Sequence, residues 1–239
     1  DFWDMGTPDH FFSKFQLNYD LPFSKFPFFE FMRANYTYSG DFDYQRGSQT
    51  LLQLAHQDIN TLQNGNTHNL TANFTFEQLY RYLGVKPTPR GEKTSVGKSL
   101  MTMLKTAGVN YSVTNARTIP GYTQQIGFLG TLKPSAGFMF GDQTDLRYEM
   151  AKKGYLTEFA DFNDQYISSK EKQLIITANL QPIPDLQINL KANRQYTENY
   201  TETFEVRNFV YNKLVGNQVG SFNISTNLLA SRFNKIDEY

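Results

Sequence analysis

Cysteine is absent from the 239 residues, which excludes a disulfide framework and thiolate metal sites and suits an envelope protein that does not rely on controlled redox. Excess charge of either sign is absent too: 23 Lys and Arg balance 23 Asp and Glu. The basic footprint that phosphate contacts require is therefore missing, and nucleic acid is excluded as a partner. No stretch approaches the roughly 18 continuous apolar residues of a membrane helix, and mean hydropathy is −0.53. The three histidines, His10, His56 and His68, are too scattered to suggest a metal site. No charged-then-apolar start with a small-residue cleavage site precedes Asp1, so an export signal is expected to have been removed or to lie elsewhere.

What the chain does have is aromatic residues, with 21 Phe and 15 Tyr, and a period-2 alternation of apolar residues with Asn, Thr, Gln and Lys. Successive strand side chains point to opposite faces, so this pattern predicts strands with one wet face and one greasy one. The clearest stretch places Leu186, Ile188, Leu190 and Ala192 opposite Gln187, Asn189, Lys191 and Asn193. A first strand, about 11–21, sets Phe15, Leu17 and Tyr19 against Lys14, Gln16, Asn18 and Asp20. A second, about 31–44, sets Ala34, Tyr36 and Tyr38 against Arg33, Asn35 and Thr37. A third, about 68–80, sets Leu70, Ala72, Phe74 and Phe76 against Thr71, Asn73 and Thr75. Further strands are expected over about 99–115, 172–181, 186–206 and 221–233. A soluble sandwich also alternates, but its outward face is charged, whereas this polar face is mostly uncharged. The pattern predicts an all-β fold, an antiparallel transmembrane β-barrel whose apolar set meets lipid and whose polar set faces the lumen.

Connections alternate roughly between short and long, as outer-membrane barrels alternate periplasmic turns with extracellular loops. Residues 116–170 form so long a connection that it is expected to be a functional extracellular loop, cap or gate. Seven strands are odd in number, and an open row leaves unsatisfied edges in lipid. Either an eighth strand lies within 116–170, giving a small barrel, or the chain is a sector of a very large one.

The stretches Leu21-Pro-Phe-Ser-Lys-Phe-Pro27, Ala34-Asn-Tyr-Thr-Tyr-Ser-Gly-Asp-Phe-Asp-Tyr-Gln-Arg-Gly47 and Gly65-Asn-Thr67 resemble a strand hairpin and loop of the SprA/Sov family. These are the giant outer-membrane translocons of the Bacteroidetes type IX secretion system. Gly108-Val-Asn-Tyr-Ser-Val-Thr-Asn115, Ile119-Pro-Gly-Tyr122 and Ala136-Gly-Phe-Met-Phe-Gly141 are similar to the segments that follow, as is Asn179-Leu-Gln-Pro-Ile-Pro-Asp-Leu-Gln-Ile-Asn-Leu-Lys-Ala-Asn-Arg194. The similarity runs along nearly the whole chain in family order. It implies an integral outer-membrane barrel of up to about 36 strands, passing folded cargo to the cell surface without cofactor or covalent chemistry. It also implies partners: secreted cargo proteins, a plug protein, a shuttle barrel resembling PorV, the remainder of the large barrel, and outer-membrane lipid. This chain is much shorter than the family, so it is expected to be a fragment.

Several strings invite other readings. Gly91-Glu-Lys-Thr-Ser-Val-Gly97-Lys98-Ser99 resembles a P-loop, but five residues separate the glycines where four are needed. Six Asn-x-Ser/Thr sequons begin at Asn35, Asn69, Asn73, Asn110, Asn199 and Asn223, and alternating Asn and Thr on a wet strand face generates them without glycosylation. His56 or His68 with Asp58 would supply a base, yet no nucleophile is marked, and an enzyme is not expected. Asp161, Asn163 and Asp164 lack the Gly and distal Glu of a calcium loop.

Overall fold

The computed structural model describes residues 8–85, 97, 101–126, 133–183 and 186–232. Alternation becomes geometry directly: seven strands make one antiparallel sheet in which chain order is spatial order. They are β1 (His10–Leu21), β2 (Met32–Gln45), β3 (Asn60–Thr75), β4 (Leu104–Tyr122), β5 (Tyr166–Ile183), β6 (Leu186–Arg207) and β7 (Val210–Arg232). Strands β1 and β7 are the two edges, each paired on one side. The described helices are short: α1 (Gln49–Ala55), α2 (Phe76–Tyr82), α3 (Ala136–Met139) and α4 (Arg147–Lys152).

Register fixes which side chains share a face. Leu17, Tyr38, His68, Val113, Lys172, Tyr196 and Phe222 stand in one unbroken cross-strand row. Two residues along lies the row Tyr19, Tyr36, Leu70, Tyr111, Leu174, Arg194 and Ile224, then Leu21, Ala34, Ala72, Val109, Ile176, Ala192 and Thr226. The intervening residues point the other way.

Several expected element ends move. The third strand begins at Asn60 and stops at Thr75, so Phe76 opens α2 and does not belong to the sheet. After Thr75 the apolar spacing becomes Phe76, Leu79, Tyr80 and Leu83, a helical repeat, with Glu77 in the first turn and Arg81 in the last. Strand β4 begins at Leu104, with a register shift across Lys105, and runs on to Tyr122. Pro120 lies beyond the last β4–β5 pair, Thr118 with Ile167, so no ladder on that side is deprived of a donor. Strand β5 starts at Tyr166, and β7 at Val210. The expected link between the last two strands is instead a turn of Asn208 and Phe209, with φ of 51° and 62°, the backbone a two-residue hairpin needs. The Gly91–Ser99 string lies outside the described residues, Gly97 excepted.

The buried core sits at one end of one face. We term this the cap end, where β2–β3, β4–β5 and β6–β7 connect. Phe42, Tyr44, Leu62, Ile119, Phe204 and Val206 from the sheet meet Phe138, Met150, Ala151 and Leu156 from the β4–β5 connection. Among its described residues that connection holds α3, α4 and a single bridge from Tyr122 to Leu156, and no eighth ladder strand.

Candidate functional site

Two contrasted faces and the cap are the features from which function must be built. On the polar face lie Lys14, Gln16, Asn18 and Asp20 of β1, Arg33, Asn35 and Thr37 of β2, Thr71, Asn73 and Thr75 of β3, and Gln187, Asn189, Lys191 and Asn193 of β6. Side chains there bond across strands: Asn35 Nδ2 donates to the Asp20 carboxylate at 2.7 Å, and among neutral pairs Thr37 Oγ1 donates to Asn18 at 2.9 Å, Asn110 Nδ2 to Asn69 at 3.1 Å, and Asn179 Nδ2 to Asn189 at 2.6 Å. The charges it carries have both signs, with Lys14 3.7 Å from Asp41, so no single-sign field forms.

The opposite face holds Phe15, Leu17 and Tyr19, Ala34, Tyr36 and Tyr38, Leu70, Ala72 and Phe74, and Leu186, Ile188, Leu190 and Ala192. Away from the cap end nothing in the described structure covers them. Leu17 is 51% exposed, Ile176 41%, Phe222 56% and Ile224 60%. Both ends of this bare belt are aromatic or amphipathic. Toward the cap, Tyr36 Oη meets His68 Nδ1 at 2.7 Å. At the other end Phe28 packs edge-on against Tyr82 at 5.8 Å, and Phe31 tilts against Phe74 at 6.2 Å.

The β4–β5 connection lies on the apolar side of the sheet, above the belt. Ser135 caps α3 by accepting from Phe138 N at 3.2 Å, and this short helix drops Phe138 onto Phe42 with ring centres 6.0 Å apart. Its carbonyls are received by the sheet: Asn64 Nδ2 donates to Phe138 and Asp142 at 3.1 and 2.8 Å, Asn66 Nδ2 to Gly141 at 2.8 Å, and Tyr38 Oη to Phe140 at 2.5 Å. Gly40 permits that approach, because a Cβ there would stand 2.2 Å from the Phe140 carbonyl oxygen.

A second anchor is ionic. Arg147 of α4 forks onto Asp145 through Nε at 2.9 Å and Nη2 at 2.8 Å, while its Nη1 donates to Glu202 of β6 at 2.8 Å. The guanidinium also lies 3.8 Å over the Tyr166 ring. Glu202, 1% exposed, accepts further from Tyr211 at 2.6 Å and from Tyr200. Burial pushes the Glu202 carboxyl up, but the tyrosine hydroxyls and Arg147 outweigh it, and the group titrates below the usual carboxylate range. Asp145 likewise stays low because Arg147 overrides its burial. The hairpin tip is tied in too, Phe209 N donating to Glu158 at 2.8 Å.

The residues expected to be wet and greasy are thus segregated, Phe76 excepted. The fastening residues Asn64, Asn66, Arg147 and Glu202 were not singled out from sequence. Their signal was faint but present: Asn64, Asn66 and Glu202 are polar residues on the parity of the apolar face. The described residues form an all-β antiparallel sheet of seven strands, in a single layer with one polar face, one bare apolar belt and a latched cap. Compared with protein-family models and with curated proteins, the chain finds no match.

Proposed function

We propose that this chain is a wall sector of a very large outer-membrane β-barrel that conducts proteins, as its resemblance to the SprA/Sov family implies. One observation carries the membrane part: an apolar belt spans all seven strands, uncovered on a sheet that has no second layer among the described residues. A soluble sheet buries such a face against another element. From Leu186 to Ala192 on β6 the belt measures roughly 20 Å of strand at about 3.3 Å per residue, against the about 25 Å apolar band of outer-membrane barrels. Aromatic residues border it at both ends, as interfacial girdles do.

The sector part is supported by the edges. Strands β1 and β7 are not paired with each other, and an open edge is not tolerated in hydrocarbon. Further strands of the large barrel satisfy both. A protein-conducting lumen must be wet and weakly adhesive, and a face of Asn, Thr, Gln and Ser already bonded to one another offers passing cargo little to hold. Cargo, plug and shuttle partners belong to this reading, as do the outer-membrane location and the absence of catalysis. A small autonomous barrel is the second reading; the missing β1–β7 pairing disfavours it.

The absence of cysteine supplies the test. Single variants Asn189→Cys and Leu190→Cys are exposed to a water-soluble maleimide in intact membranes. The proposal expects fast labelling at 189 and protection at 190 that detergent removes. Equal labelling without detergent overturns the membrane reading. Chains of 27.6 kDa running as separate folded monomers overturn the sector reading.

A further inference from the structure

The belt does not end abruptly. Stepping toward the cap, the row of Leu21, Ala34, Ala72, Val109, Ile176 and Ala192 gives way to one bearing Tyr19, Tyr36, Tyr111 and Arg194, then to one bearing Tyr38, His68, Lys172 and Tyr196. Lys172 and Arg194 therefore stand on the apolar face at its boundary, with Lys170 one row nearer the cap. Lys172 pairs with Tyr196 and Leu174 with Arg194, so Lys172 and Arg194 are diagonal neighbours, about 7–8 Å apart at their backbones.

Neither cation has a counter-ion among the described residues. Arg194 instead lies 5.2 Å over the Phe222 ring. The nearest carboxylate on this face by register, Glu198, is held by Tyr196 at 2.8 Å and by Gln218 at 2.6 Å. Glu171, beside Lys172 in sequence, points to the polar face and bonds Gln195. In the next row toward the cap Lys170 stands opposite Glu198, so that one carboxylate is set against three cations, and the cluster keeps a net positive charge beside the apolar rows.

We infer that Lys172 and Arg194 hold the phosphate of an anionic lipid headgroup at the cap-side boundary of the belt. The inference rests on the membrane reading above. Apolar rows below the pair accept acyl chains, Tyr111 and Tyr196 flank the pair at headgroup depth, and the guanidinium and ammonium meet the phosphate, Arg through its fork and Lys as a point charge. A lipid, not free phosphate, is the occupant, because the belt side of the pair offers only apolar contact.

The test incorporates the detergent-extracted native assembly into nanodiscs of phosphatidylcholine with and without phosphatidylglycerol, and measures the lipid retained by native mass spectrometry. Wild-type protein is expected to enrich phosphatidylglycerol, and Lys172→Gln with Arg194→Gln to lose that preference by about thirtyfold, roughly fivefold per charge. Millimolar inorganic phosphate is expected not to displace the lipid. Equal retention by both proteins inside the nanodisc overturns this inference alone, and displacement by inorganic phosphate reassigns the pair to a free anion and also overturns it. If neither protein enters the nanodisc, the membrane reading fails and this inference with it. Lys14→Gln with Lys191→Gln, on the polar face, is the matched control and is expected to retain the preference.

Discussion

Arg147 and Gly40 fasten the cap by opposite means, one by filling a space with charge and the other by leaving a space empty. Removing Arg147 leaves the buried Glu202 with two tyrosine hydroxyls and the half-exposed Lys213 ammonium, 3.4 Å away, so the loss is expected to fall below the about 3–5 kcal/mol of a buried charge left with no ionic partner. Arg147→Ala is therefore expected to release residues 136–156 to hydrogen exchange while the ladder of β1 to β4 stays protected. Both carboxylates in the cluster titrate below their ordinary range. A depressed carboxyl adds stability that is present above the unfolded value, about 4.3 for Glu, and lost as pH falls through the folded one. Cap protection should hold from neutral pH to about pH 5 and collapse below about pH 4; protection unchanged through that lower window would show that the ionic anchor contributes little. Gly40→Ala drives a methyl into the Phe140 carbonyl and is expected to cost about 1–3 kcal/mol. Gly220→Ala, whose Cβ would meet nothing nearer than 3.5 Å, should leave cap exchange unchanged.

At the scale of the strand, the two faces make opposite demands on one substitution. Leu190→Arg puts a charge in the middle of the belt, where lipid-facing Arg costs about 2–4 kcal/mol, while Asn189→Arg, one residue away on the polar face, is expected to be near neutral. Denaturant midpoints of the reconstituted protein measure the difference, and equal costs would count against lipid on the apolar side. This contrast was legible in the sequence because β6 keeps strict alternation from Leu186 to Asn193. Legibility fails where the alternation changes phase. Beyond Gly220, toward the cap, the apolar face of β7 carries Gly216, Gln218 and Gly220, while Val210, Val215 and Val219 turn to the other side, across a bulge near Thr203. That reversal hides the first eleven residues of β7, and it makes the Asn208–Phe209 hairpin look like a longer loop. Phe76 misleads differently: one more aromatic after Phe74 reads as strand, and only Leu79, Tyr80 and Leu83 beyond it reveal the helix. The cap's side of the sheet was not legible, since docking is decided by Asn64, Asn66 and Glu202, polar residues placed by register, and pairing register is a long-range property that no local window contains.

At the scale of the whole molecule, the described part of the cap lies on the apolar side of the sheet, which in the proposed assembly is the outside of the wall, and among the described residues it leaves the polar face open. In that assembly its described residues form a collar above the bilayer. The edges carry the remaining choice. In a small barrel β1 and β7 close on each other, as barrels abolish edges; in a sector each takes a different neighbour. Leu17 and Phe222 lie in the same cross-strand row at the two edges, and a cysteine at Leu17 paired in turn with cysteines at successive positions along β7, to cover the register stagger a barrel takes on closing, distinguishes these. The row is seven strands wide, and at about 4.8 Å between strands its ends in an open sector stand roughly 29 Å apart along the sheet, far outside the about 4.4–6.8 Å Cα separation a disulfide accepts. Under mild oxidation in the membrane every such β1–β7 pair is expected to remain reduced within the chain, whereas Tyr36→Cys with Leu70→Cys, directly paired in β2 and β3, should cross-link. An intramolecular bond between position 17 and any position on β7 would mean that the sheet closes on itself, and the large-barrel reading would then give way to the small one.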